Sequence, residues 1–122
     1  MIYKGLTERI IACAIEVHRE LGPGLLESVY ESALAVELSQ HGMCFSRQKP
    51  LPVTYKGQSI GDFKMDLVVE EIVVVELKSV ERHDPLFEAQ LLSYMKLGGY
   101  KLGLLINFNS LLLTKGIKRL VM

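Results

Sequence analysis

A mixed α/β (α+β) fold with a central sheet is predicted for this 122-residue chain, and three observations predict it. Two stretches before Gly42 carry apolar residues at helical spacing. Strand-like segments fill Met43 to Val80. A capped helix and an apolar run of strand length then complete the order. The length suits one domain over residues 1–122.

Thr7 is expected to cap a first helix that runs to about Leu21, with Ile10, Ile11, Ala14, Ile15, Val17, His18 and Leu21 on its apolar stripe. His18 on that stripe reads as a packed or hydrogen-bonded side chain rather than a ligand. Gly22-Pro23-Gly24 breaks the helix and reads as a turn, because no Lys-Ser/Thr follows to make it a phosphate cradle. A second helix is expected from about Leu25 to Gln40, stopped by Gly42. "MCFSRQK" and "LPVTYKG" read as two strands near Pro50 and Pro52, and proline there argues for a sheet edge or a turn. "YKGQ" reads as a hairpin turn. Strands follow at about Ser59 to Val69 and Val73 to Val80.

Asp84-Pro85 is a helix start, a capping acid followed by proline at the first helical position. Gly98-Gly99 should end that helix. "KLGLLINF" is a strand covered on both faces. "GIKRLVM" is a last strand. The segment from Glu76 to Ile106 should be a right-handed crossover between parallel strands.

The formal net charge is zero, so no overall polycation advertises nucleic acid. All 14 acids nevertheless precede Ala89, whereas Lys96, Lys101, Lys115, Lys118 and Arg119 follow it. That leaves room for a basic face built from the C-terminal third. Cys13 and Cys44 have no CxxC spacing, which argues against zinc or an iron–sulfur cluster, and they read as small apolar residues in a reducing cytoplasm. The N-terminus has charges inside its apolar pattern and does not read as a signal peptide. The uncharged run Leu102 to Thr114 is too short to span a bilayer, so no membrane partner is expected.

The stretch "MDLVVEEIVVVELKSV" places Asp66, Glu76 and Lys78 inside the most strand-prone part of the chain. Alternation puts Val74, Glu76 and Lys78 on one face. If Glu70-Glu71-Ile72 is a three-residue loop, Val69 faces Val73 and Asp66 falls opposite Glu76. A two-residue loop would send the two acids to opposite faces. Adjacent carboxylates repel unless a proton or a cation sits between them. Their hard oxygens suit Mg²⁺ or Mn²⁺. The bland alternative is a solvated strand face. The apolar runs around it weigh against that, since such charges are costly unless paired or bound.

"GLLESVY", "DLVVEEIVVVELKSV" and "EAQLLSYMKLGGYKLGLLINF" together resemble the GxxExxY family of the PD-(D/E)XK nuclease-like superfamily, over nearly the whole chain. The resemblance implies a restriction-endonuclease-like core of order α-β-β-β-α-β, here with an extra N-terminal helix, and a divalent-metal phosphodiesterase site. It implies that Asp66, Glu76 and Lys78 are catalytic. It also implies that Glu27, Asp66, Glu76 and the Leu77 carbonyl hold Mg²⁺ or Mn²⁺, and that Gln90 and Tyr94 line the substrate side. Met65 stands where the superfamily's name has proline. The expected partner is nucleic acid, DNA ahead of RNA, with a homodimer or larger complex compatible with the small size.

For Glu27 the competing reading is an ordinary first-turn Glu that complements the helix dipole. For Gln90 and Tyr94 it is a boundary residue and a packed aromatic. For the whole chain it is a non-catalytic nucleic-acid- or protein-binding module that kept the fold.

Overall fold

The computed structural model describes residues 3–122. It has the mixed α/β, restriction-endonuclease-like architecture. The elements are α1 (Lys4–Leu21), α2 (Glu27–Gln40), β1 (Phe45–Tyr55), β2 (Gln58–Val69), β3 (Val73–Lys78), α3 (Pro85–Gly98), β4 (Leu102–Asn107), a short 3₁₀ turn (Leu113–Gly116) and β5 (Ile117–Val121). They form a five-stranded sheet of order β1-β2-β3-β4-β5. β3 and β4 are parallel, joined through α3, and the other pairs are antiparallel.

α1 begins one turn earlier than its sequence suggests. Tyr3, in a left-handed conformation, is the capping residue, and its carbonyl accepts from the amides of Leu6 and Thr7. Thr7 therefore lies inside the helix and is buried. Its hydroxyl accepts from Arg119 Nε of β5 at 3.3 Å, so the residue read as a cap is a tertiary contact. α2 ends as expected: Gly42 has φ 75°, and the Met43 amide closes back on the Leu38 carbonyl. α3 also matches its signals. Asp84 accepts from the Leu86 amide at 2.9 Å, Pro85 opens the helix, and Gly99 closes it in the left-handed region.

The two strands expected around the prolines are one continuous strand, β1. Pro50 and Pro52 are two residues apart, so both missing N–H groups fall on the same side of the strand. β1 is an edge strand, and that side can face solvent without losing ladder bonds.

The sheet separates two apolar layers. Leu67, Val69, Val73, Val75, Leu77, Leu104 and Ile106 pack on Ile10, Tyr30, Leu34 and Leu38 of α1 and α2. Val68, Val74 and Leu105 pack on Leu91, Tyr94 and Met95 of α3. Tyr30 closes the first layer. Its ring stacks on Phe108 at 4.4 Å, and its hydroxyl donates to the Gly22 carbonyl and accepts from the Leu25 amide. The Gly-Pro-Gly turn is thus anchored from the helix it introduces. His18 is hydrogen-bonded as expected, its Nε2 lying 2.7 Å from the Ser110 carbonyl oxygen. Cys13 is buried in this layer, and burial pushes its thiol up from the ordinary range. Cys44 is exposed at the start of β1 and does not act as the apolar residue it was read to be. No helix among the described residues is long and apolar enough to cross a membrane.

Gly103 sets the distance between α3 and the sheet. A Cβ there would meet Met95 Sδ at 2.6 Å and Leu91 Cδ2 at 3.2 Å. Gly103→Ala is expected to destabilise the protein by about 1–3 kcal/mol, the usual cost of overpacking a core. Urea denaturation midpoints measure it. An unchanged midpoint would show that α3 is free to slide away.

Candidate active site

The site is built where the sheet splits. β2 and β3 share only three ladder pairs, Val69–Val73, Val68–Val74 and Leu67–Val75. β1 and β2 remain paired out to Tyr55 and Gln58, and β3 stays on β4 to Lys78–Asn107. Side-chain alternation in β2 breaks at the same point, because Met65 and Val68 both pack in the α3 layer although they are three apart.

The turn that sets this register uses two successive left-handed residues, Glu70 (φ 54°) and Glu71 (φ 56°). The Ile72 amide donates to the Val69 carbonyl at 3.0 Å. Left-handed backbone is unfavourable for residues with a Cβ, and side-chain contacts hold these two. Glu70 accepts from the Cys44 amide, and Glu71 pairs with Lys49. Val69 consequently faces Val73, as the three-residue loop requires, and Asp66 comes opposite Glu76.

At the split, carboxylates replace the missing backbone bonds. The Leu77 amide donates to Asp66 Oδ2 at 2.9 Å, and the Asp66 amide donates to Glu76 Oε1 at 3.1 Å. Glu76 is only 6 % exposed. Burial pushes its carboxyl up to about 8, and the neighbouring negative Asp66 adds to the rise. The Asp66 amide and the Lys78 ammonium oppose it. A buried carboxyl beside an ionised one is relieved by a proton or by a cation.

The donor set fits a hard divalent ion. Asp66, Glu76 and the Leu77 carbonyl offer oxygen only, and an ion such as Mg²⁺ takes one or two carboxylates and keeps several waters. Among the described residues no three His, Cys, Asp or Glu side chains are gathered to hold an ion. Glu27 is therefore not brought to the pair. It is the exposed first residue of α2 and borders Leu25, Leu26, Ser28 and Ser79.

The helix acid linked to Asp66 through a shared donor is Glu31, one turn further along α2 and 8 % exposed. Its carboxylate accepts from Arg47 Nε at 3.0 Å and from Gln48 Nε2 at 2.5 Å. The same Gln48 amide donates to Asp66 Oδ1 at 3.2 Å. Gln48 lies in β1 between Arg47 and Lys49, which pair with Leu67 and Met65 on either side of Asp66, and has φ 49°. The sequence reading missed Glu31, Arg47 and Gln48. The available signal was a carboxylate at helical spacing from Leu34, Ala35 and Leu38, on the buried stripe of α2. Gln48→Ala should leave Glu31 Oε1 and Asp66 Oδ1 without this donor and cost about 1–3 kcal/mol. Chemical denaturation measures that cost. No loss would mean that water substitutes for the amide.

Lys78 is half-buried at the end of β3, on the face of Glu76. Its Nζ lies 4.6 Å from the centre of the Phe87 ring. Tyr94 of α3 is 7 % exposed and tilted against Phe63 at 5.2 Å. Burial pushes its hydroxyl up, and the negative charges of Glu76 and Asp66 push the same way. The ring packs in the layer of Met65 and Val74, residues close to the pair in sequence. Gln90 is exposed one turn earlier on α3.

No curated protein and no solved structure matches the chain. The family model of the PD-(D/E)XK nuclease superfamily matches residues 4–120, a span that includes both split strands, the Glu-x-Lys of β3 and the crossover helix. With the match running from α1 into β5, the chain belongs to the PD-(D/E)XK nuclease superfamily.

Proposed function

We propose that the chain is a nuclease of the GxxExxY group that hydrolyses phosphodiester bonds, in DNA ahead of RNA, with Mg²⁺ or Mn²⁺ held by Asp66, Glu76 and the Leu77 carbonyl. Membership in the superfamily implies a nuclease-type function on nucleic acid, and such nucleases typically use divalent metal ions. The observation that carries the reading for this chain is the Asp66–Glu76 pair at the split of β2 from β3, with one carboxyl buried and both tied to backbone amides. A divalent cation there would supply positive charge at the scissile phosphate and acidify a water.

The chain's own residues do the rest. The Leu77 amide and Gln48 hold Asp66 in one orientation, so little reorganisation is needed when substrate arrives. Lys78 orients the attacking water and offsets negative charge on the phosphate. Gln90, exposed on α3, seats the strand, and Tyr94 forms the packed wall behind it. Glu27 acts only through water, from the Ser79 side. The products expected from the resemblance carry a 5′-phosphate and a 3′-hydroxyl.

One observation favours the non-catalytic module instead: the pair lacks a third carboxylate among the described residues. Labelled single- and double-stranded DNA and RNA, incubated with Mg²⁺, Mn²⁺ or a chelator, separate the two readings. The expected result is metal-dependent cleavage by the wild type that disappears in Asp66→Ala. Intact substrates throughout, with no Mg²⁺ binding by calorimetry, would leave the module.

A further inference from the structure

We propose that the cavity beyond Lys78 is a phosphate-binding subsite, which seats a phosphate group of the nucleic-acid strand next to the bond that is cut. The proposal rests on the nuclease reading of the Asp66–Glu76 pair and adds a contact to it. The cavity has a volume of about 260 Å³ and is lined by Lys78, His83, Phe87, Asn107, Lys115 and Lys118, among others. Lys78 and Asn107 are the last residues of the parallel strands β3 and β4. The crevice outside the carboxyl ends of parallel strands is the usual ligand position in open α/β sheets.

The chain builds this cavity with groups that are themselves satisfied. Asn107 accepts from the Val80 amide and donates to the Val80 carbonyl, at 3.1 and 3.0 Å. Ser110 Oγ donates to the Asn107 carbonyl at 3.0 Å. Gly116 lies against both residues. A Cβ there would run into Ser110 Oγ and meet the Asn107 carbonyl oxygen at 2.5 Å. This close approach brings the 3₁₀ turn and the start of β5 onto the end of β4, and with them Lys115 and Lys118.

The donors left over are ammonium groups. Among the described residues Lys78 and Lys115 have no carboxylate at ion-pair distance. Lys118 and His83 share one, Glu88, at 3.7 and 2.9 Å. Three lysines therefore line the cavity, and among the described residues Glu88 is the one acid ion-paired with any of them. Lysine is a point-charge donor well suited to phosphate oxygens. Lys78 touches both regions. Its charge acts on Glu76, and it lines the cavity, so a strand whose scissile phosphate lies at the carboxylates meets this cavity next. The acid-free C-terminal third thereby acquires a specific role for two of its lysines.

Phosphate in this position could be a strand terminus or an internal diester, and the test distinguishes them. Short oligothymidylates with a 5′-phosphate or a 5′-hydroxyl are titrated in chelator, so that no cleavage is needed. The wild type is compared with Lys115→Ala/Lys118→Ala, two exposed positions whose loss leaves the fold readable by its NMR spectrum. Amide shifts should centre on Asn107 and Gly116, and the double variant should bind about 10-fold or more weakly, as expected for lost hydrogen bonds to charged groups. If the 5′-phosphate tightens wild-type binding and the variant loses that gain, the cavity takes a terminus. If both oligonucleotides bind alike and both weaken with a shallower salt dependence, it takes an internal phosphate. Absence of wild-type binding, equal affinity in the double variant, or shifts centred elsewhere would overturn the proposal. Unchanged binding alongside metal-dependent cleavage would remove the subsite alone. Binding at the cavity without cleavage under any metal would remove the nuclease reading alone.

Discussion

Lys78→Ala should lower the cleavage rate by roughly 10²-fold or more, the loss typical of one preorganised electrostatic group. The variant should fold and bind Mg²⁺ about as well as the wild type. This split is expected because Lys78 contributes little to the fold. Its ammonium has no ion-paired carboxylate among the described residues, and its close partner is the Phe87 ring at 4.6 Å. Such a cation–π contact at a partly exposed position is worth about 0.5–1 kcal/mol. A purely structural counter-ion would behave differently. Its loss would lower the melting temperature in chelator. Added metal would then restore stability while cleavage stayed intact. Single-turnover rates beside melting curves with and without Mg²⁺ separate the two outcomes. A Lys78→Ala protein that cuts at near wild-type rate would remove the catalytic role.

What the sequence disclosed, and what it hid, follows from how local each signal is. Asp84-Pro85 and Gly99 mark both ends of α3 through contacts within one turn, and the structure places those ends where the signals put them. The register of β2 on β3 was legible only as a choice between a two- and a three-residue loop, because counting fixes it once the loop length is known, and the structure has the three-residue loop. Thr7 misled because its hydroxyl is used by Arg119, far along the chain. Pro50 and Pro52 marked a sheet edge correctly but misled about a break, because one edge strand carries both with their missing N–H groups on the same side. Helical spacing put Glu27 on one side of α2 with Tyr30 and Leu34, and Glu31 lies one turn further on. Which of the two acids is linked to Asp66 depends on where the helix sits along the sheet, and on Gln48 arriving from β1 to bridge them. Neither is written in the spacing. Lys78 was legible as a residue on the Glu76 face. The cavity it shares with Lys115 and Lys118 forms only when Gly116 lets the chain settle on Asn107.

Glu76→Gln should remove a pH-dependent loss of stability and, with it, the proposed metal site. Glu76 ordinarily titrates at 4.5, and burial next to Asp66 raises it to about 8 in the folded chain. The unfolded chain releases this proton near 4.5, the folded chain near 8. Between those values the folded state holds the extra proton, so stability falls as pH rises. This contribution is fully present below about 4.5, declines through the window and is gone above about 8. Its size is on the order of a few kcal/mol, which for a chain of this length is about 10 °C or more in melting temperature. A Gln side chain has the same shape, still accepts from the Asp66 amide and has no proton to lose. In chelator its melting temperature should therefore lack the decline seen in the wild type, and at pH 8 to 9 it should be the more stable protein. Mg²⁺ should reverse the order. The wild type should gain about 2.7 kcal/mol at a hundredfold excess over Kd, more fully at pH 8 than at pH 5.5, because the ion competes with the proton on Glu76. The Gln variant should gain little and should not cleave. Parallel pH profiles for the two proteins in chelator would mean that Glu76 ionises freely in the fold, and that no cation is needed to settle the Asp66–Glu76 pair.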